Sequence, residues 1–207
     1  MLLKSGKRHD GPQDGPYAAL KKPLIDTIQK ITNGTVLKRL EAIMDISHNF
    51  KEGRVTTEQA RAILKETLHD DEQIIRWSTV YALGHLGTSA LPDLSDALED
   101  ECVVVQSMSA AMIYSALKES EIPNRTVLNP YLDKTAEKLI GCLGSGDKSV
   151  EMYATLSLGE IAKRDPVGAL KTIETCLTCD SEARNRLEIV VKIAEVVIED
   201  AARANKA

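Results

Sequence analysis

One ten-residue pattern returns along this chain, and a pattern that returns at a near-constant interval restricts the fold more than composition can. The segments are Ile75–Gly84 (IRWSTVYALG), Val105–Tyr114 (VQSMSAAMIY), Val150–Gly159 (VEMYATLSLG) and Ala183–Lys192 (ARNRLEIVVK). Their starts lie 30, 45 and 33 residues apart, and a weaker copy, Val36–Asp45, precedes the first by 39. Each of the four follows an aspartate by three to five residues: Asp70 or Asp71, Asp100, Asp147 and Asp180. Self-similarity at this period marks stacked helical units, none of which can bury its apolar stripe alone. The expected fold is therefore all-α: a right-handed solenoid of stacked antiparallel helix pairs, about four to five repeats long.

The residue types suit such a stack. Apolar residues make up 43% of the 207 positions and charged ones 28%, but aromatics only 3%, with a single Phe50 and a single Trp77. A core of Leu, Ile, Val and Ala lets helices approach closely, and Ala82, Ala110, Ala111 and Ala154 fall on the predicted inward stripes. Local signals then divide the chain. Thr56 and Gln59 form a capping box at the start of one helix. Asp70-Asp71 and Asp147 offer acceptors to the free N–H groups of two others. Pro92 suits a helix start, Asp165-Pro166 a break. The stretch 119–129, with Pro123 inside it and Pro130 after it, reads as an irregular insertion that explains the long middle interval. The apolar faces expected to be buried include Val36, Leu37, Leu40, Ile43 and Met44, then Val104, Val105, Met108 and Met112. Leu91, Leu94 and Leu98 form another, and Val167 begins one more.

Residues 1–22 are rich in Gly and Pro, carry a net charge of +3 and lack apolar periodicity, so they read as a flexible basic tail ahead of a solenoid over residues 23–207. The rest of the chain sums to -8. An acidic body argues against nucleic acid as the partner, which needs a clustered basic surface. The longest apolar run, Ile189–Ile198, is broken by Lys192 and Glu195 and is too short to cross a membrane. With no apolar leader at the N-terminus, the cytoplasm is the expected location. Cys102, Cys142, Cys176 and Cys179 read as reduced core thiols. Cys176 and Cys179 form the one Cys-x-x-Cys pair, but no second ligand pair at short spacing completes a zinc site. No cofactor, metal site or catalytic set is expected.

The Asp, aliphatic-Arg, Ala-Leu-Gly order of residues 71–84 resembles a HEAT repeat, of the short HEAT-like kind found in phycobilisome-lyase-type proteins. The resemblance covers about residues 36–200 and is clearest at 71–98 and 147–177. It implies that the Arg after the aliphatic residue ties neighbouring repeats through the Asp. Arg76 and Arg184 match, whereas the intervening copies carry Gln106 and Glu151, which interrupts the series. It also implies, as an alternative function, a subunit of a bilin lyase or of another HEAT-containing enzyme complex. Iron hydroxylases built on the repeat need His-Glu dipeptides. The histidines here precede Asp10, Asn49, Asp70 and Leu86, so that activity is excluded.

The leading expectation is a non-catalytic adaptor that binds a partner protein. In such stacks the second helix of each pair lines one face. The residues expected to face outward there are Arg61, Lys65 and Glu66, Asp93 and Asp96, Lys134, Glu137 and Lys138, and Lys171 and Glu174. Their signs alternate, which suits a protein of mixed charge; solvated helix faces would look the same. The last helix adds a second stripe, Ile189, Ile193, Val196 and Val197, beside its main one of Leu187, Val190, Val191, Ala194 and Ile198. A terminal helix apolar nearly all round must be covered, either within the chain or by a second copy, so these four residues form a candidate homodimer seam. Trp77 is expected between repeats, with an exposed binding aromatic as the alternative.

Overall fold

The computed structural model describes residues 22–120, 125–175 and 181–204. Ten α-helices occur among them: α1 (Lys22–Asn33), α2 (Val36–Lys51), α3 (Thr57–Lys65), α4 (Gln73–Gly84), α5 (Leu91–Ala97), α6 (Val103–Glu119), α7 (Arg125–Cys142), α8 (Lys148–Arg164), α9 (Pro166–Thr175) and α10 (Ser181–Ala204). A 3-10 turn, Gly87–Ala90, leads into α5. The basic tail and the Cys176/Cys179 pair lie outside the described residues.

The helices form two layers. Helices α2, α4, α6, α8 and α10 pack side by side as one row, and α5, α7 and α9 make a second row with α3 at its start. The second-row helices sit in the notches of the first: α5 touches both α4 and α6, and α9 touches both α8 and α10. Helix α1 covers the free side of α2. The result is the expected all-α stack of helix pairs, and every copy of the ten-residue pattern falls on a first-row helix.

Burial explains the pattern. Ile75, Val105, Val150 and Ala183 are buried, as are the equivalent Thr79, Ser109, Ala154 and Leu187. Glycines let the row close up. A Cβ at Gly84 would lie 2.3 Å from Met112 Sδ of α6, and one at Gly159 would lie 3.2 Å from Ile193 Cδ1 of α10. The weak first copy is out of register. Buried Ala42, Ile43 and Ile46 correspond to Thr79, Val80 and Leu83, so it starts at Lys38, two residues after Val36.

Polar ties span the row: Arg76 makes the tie expected of it, and Arg184 does not. Arg39 of α2 pairs with Asp70 ahead of α4. Arg76 of α4 forks onto Asp100 (Nε to Oδ2 2.7 Å, Nη2 to Oδ1 3.0 Å), and also donates to the Asp70 carbonyl at 2.9 Å. Gln106 keeps only the neutral half of this arrangement, donating to the Asp100 carbonyl at 2.6 Å. The next junction uses Ser157 Oγ, which donates to the Ala110 carbonyl at 3.0 Å. At the last junction the charges are reversed: Glu151 of α8 meets Arg186 of α10 at 2.6 Å. Arg184, which matched the repeat pattern, is exposed instead.

Local signals held where they are local. The Thr56–Gln59 capping box is present in both directions (3.1 and 3.3 Å), and Asp147 accepts from the N–H groups of Ser149 and Val150. Asp70 accepts from Glu72 N at 2.9 Å just before α4. The insertion is shorter than expected, because α7 begins at Arg125 and runs through Pro130.

Candidate functional site

The second-row residues expected to greet a partner are partly occupied by one another. Asp93 is the clear correction: it is 1% exposed and receives Arg61 from α3, so it faces the neighbouring helix and not solvent. That hydrogen bond holds the Arg61 guanidinium above its ordinary pKa. Lys138 of α7 bridges Asp96 at 2.9 Å and Glu99 at 3.0 Å. Burial works against its ammonium, but the two carboxylates outweigh burial and raise its pKa. Arg61, Asp93, Asp96 and Lys138 thus join α3, α5 and α7 to one another. Lys65, Glu66, Lys134, Glu137, Lys171 and Glu174 are exposed.

The other layer behaves in the opposite way. Its outer face leaves apolar side chains in solvent, at the same place in four of the five repeats. Counting six residues on from Lys38, Ile75, Val105, Val150 and Ala183 gives Met44, Tyr81, Ala111, Leu156 and Ile189. Met44 is 71% exposed, Ile189 53%, Tyr81 45% and Leu156 40%, with Ala111 half-buried. Leu37, Ile74 and Val104 stand exposed one step nearer the helix N-termini, and Met152 beside Leu156. Leu37, Met44 and Val104 were expected in the core. Apolar residues at helical spacing fit either face, and here the second face is the solvent side. Val167, 64% exposed, departs from its expected burial in the same way.

Between α2 and α4 this face dips into a cleft of about 380 Å³ lined by Met44, Ser47, His48, Lys51, Trp77, Ser78, Tyr81 and His85. Trp77 and Tyr81 stack in parallel with ring centres 5.9 Å apart, and His85 meets the Tyr81 ring edge-on at 4.8 Å. Trp77 packs against the core, as expected, and also walls the cleft. Burial, and then the charge of Lys51, lower the His85 pKa. Seven residues beyond the apolar column, Lys51, Lys118 and Lys163 occupy equivalent exposed places.

The four candidate seam residues divide. Ile193 leans on Gly159 of α8, and Val197 is half-buried, whereas Ile189 and Val196 point into the outer face. The side of α10 that would receive a further repeat carries Arg184, Glu188, Lys192 and Glu195, all exposed. Where α4 and α6 bury Val80 and Ala110, α10 has Glu188, so the stack ends in a charged cap.

No group of three His, Cys, Asp or Glu side chains among the described residues is placed to hold a metal ion. Burial pushes the Cys142 thiol up to about 11, so it stays protonated at neutral pH and packs as an apolar side chain. No helix among the described residues is long and apolar enough to cross a membrane.

No protein-family model matches the chain, and no curated protein does either. Solved structures do. A designed armadillo repeat protein in complex with the peptide (KR)4 superimposes with a TM-score of 0.54 at 16% identity, over 83% of this chain and 81% of its own. An engineered protein from a structural genomics consortium gives 0.53 at 15% identity, over 86% of this chain but 47% of its own length. These likenesses define a class: a helical repeat protein, an armadillo-like solenoid. They stop short of the narrower HEAT-like lyase-type family.

Proposed function

We propose that this chain is a non-catalytic scaffold that binds a partner polypeptide on the outer face of its first helical row. The observation that carries the reading is the exposed column of Met44, Tyr81, Leu156 and Ile189, repeated at equivalent positions and deepened by the Trp77–Tyr81 cleft. An exposed apolar band is a usual mark of an interaction surface, and scattered apolar side chains would not keep register across helices. The architecture supports it, since the designed armadillo protein was solved holding a peptide. The Asp–Arg ties at Asp70 and Asp100 favour a HEAT-like ancestry for the repeat. The charged second-row residues serve the stack first, and their exposed members Lys65, Lys134, Glu137, Lys171 and Glu174 are secondary candidates.

Photo-crosslinking tests the reading. A photoreactive amino acid placed at Met44 or Leu156 in the chain's native extract is expected to trap one discrete polypeptide. The same group at Lys134 or Lys171 should trap none. Adducts from the second pair alone would move the site to the other layer.

A further inference from the structure

We infer that the partner presents one amphipathic α-helix, which lies across the first-row helices with its apolar stripe on the Met44–Tyr81–Leu156–Ile189 column and a carboxylate-bearing edge over Lys51, Lys118 and Lys163. This rests on the reading that the outer face binds a polypeptide, and it adds the shape and charge of what is bound.

Geometry selects the helix. Seven residues of α-helix separate each column residue from its lysine: Met44 from Lys51, Ala111 from Lys118, Leu156 from Lys163. That is ~10 Å along the helix axis, close to the ~10–12 Å width of an α-helix with its side chains. One helix therefore spans both rows, its apolar stripe on one and its flank on the other. Neighbouring helices pack ~8–10 Å apart, so the four spacings between five of them make a band of roughly 32–40 Å. A partner helix of about 25 residues covers that length at ~1.5 Å per residue. The cleft between α2 and α4, about 380 Å³, takes one large apolar side chain as an anchor against the Trp77–Tyr81 stack.

Charge selects the flank. Lys51 and Lys118 are exposed, Lys118 resting over the Tyr114 ring at 5.4 Å. Lys163 is exposed but holds Glu160 at 2.7 Å. Glu160 also holds Arg164 at 2.9 Å and Glu52 holds Arg54 at 2.6 Å, whereas Glu119 accepts only from Ser115 Oγ at 2.8 Å and keeps its charge. The α4 and α10 equivalents of the lysines, Thr88 and Val196, add no charge of either sign. An acidic flank is complementary to this edge and a basic one is repelled. A further repeat or an end-on second copy would need an apolar terminal side on α10, which is charged instead.

The test uses the full chain and two fluorescent synthetic helices of about 25 residues with the same leucine stripe, one bearing Glu along its flank and one bearing Lys. Anisotropy is expected to show the Glu helix binding at least ~10-fold more tightly, about 1.4 kcal/mol, with the gap narrowing as salt rises. Met44→Asp with Leu156→Asp should cost the Glu helix ~10-fold or more, and Lys51→Glu with Lys118→Glu should erase its preference. All four sites are exposed, and circular dichroism verifies that the variants fold. Equal binding of both helices, binding of neither, or binding indifferent to Met44→Asp with Leu156→Asp overturns the inference. So does a dimer in light scattering that Met44→Asp dissociates, which would make a second copy the occupant. Sedimentation with vesicles of phosphatidylserine and phosphatidylcholine that Met44→Asp abolishes would overturn it equally. If crosslinks form at Met44 and Leu156 but the Glu helix does not bind, the helix inference falls alone. If those crosslinks are absent, the reading of the face falls with it.

Discussion

The two layers of this solenoid handle most of their exposed residues in opposite ways, with Tyr131 of α7 and Val167 of α9 the apolar exceptions in the second row. The second row is rich in charge and spends it internally: Arg61 on Asp93, Lys138 on Asp96 and Glu99. The first row ties itself together at its N-terminal ends, through Arg39, Arg76 and Glu151, and leaves an apolar column in water. A charged surface residue can satisfy itself with a neighbour; an exposed methionine or leucine cannot. Unmet need for burial, more than charge, is therefore the ground for proposing the first-row face as the binding surface.

The comparison breaks most readily at Arg76. Its guanidinium and the Asp100 carboxylate are both more than nine-tenths buried, and removing one partner strands the other. Arg76→Ala is expected to cost about 3 kcal/mol in urea unfolding, whereas Arg184→Ala, an exposed cation with no ion pair to a first-row neighbour among the described residues, should stay within about 0.5 kcal/mol. Equal effects would mean that the first-row junctions are held by apolar packing alone.

A smaller loss is expected in the second row. Arg61→Ala leaves the Asp93 carboxylate buried without its cation, at a cost of about 2 kcal/mol. Lys134→Ala and Lys171→Ala alter only solvated positions and should change stability by less than about 0.5 kcal/mol. If Lys171→Ala matched Arg61→Ala, the division between tying and solvated charges would be wrong.

Gly84 sharpens the packing side of the comparison. Alanine gains about 1 kcal/mol of helix propensity over glycine, but its Cβ would meet Met112 Sδ at 2.3 Å, Cγ at 2.7 Å and Cβ at 3.0 Å. Met112 must give along most of its length, and overpacking of this kind costs about 1–3 kcal/mol. Gly84→Ala is therefore expected to be destabilising by about 1 kcal/mol net. Gly159→Ala meets only the tip of Ile193 at 3.2 Å and should be neutral or slightly stabilising. Thermal unfolding of the two variants side by side decides it.

What could be read from the letters follows the range of the interaction. The Thr56–Gln59 box, the Asp147 cap and the buried Leu91, Leu94 and Leu98 depend on residues within a turn or two, and each lies where the pattern puts it. The stack itself was legible because repetition is a statement about packing. Partner choice across the row was not. Glu151 finds Arg186 and not Arg184 because the register of α10 on α8 decides which cation lies opposite, and that register is a property of two helices in contact. Asp93 reads as an outward residue because it falls outside the apolar stripe of Leu91, Leu94 and Leu98. Its burial comes from α3, 32 residues earlier. The outer column was hidden for a further reason. Met44 and Leu37 obey the same helical period as the core, and only the surplus of apolar residues in α2 and α4 hints at a second face.

The smallest expected effect concerns His85, at the floor of the α2–α4 cleft. Burial first, and then Lys51, lower its pKa below the ordinary 6.5, while Glu119 pulls the other way. His48 and Tyr81 are the other titratable side chains lining the cleft around it. Because the folded value is the lower one, the unfolded chain takes up the proton first as pH falls. The contribution of His85 to stability is thus whole above about pH 6.5 and declines as pH drops through the folded value. Between pH 7 and pH 5 the urea midpoint of the parent chain should fall slightly more than that of His85→Gln. Parallel curves would show a fully hydrated imidazole. A steeper parent curve places a partly desolvated imidazole in the wall of an otherwise open apolar cleft.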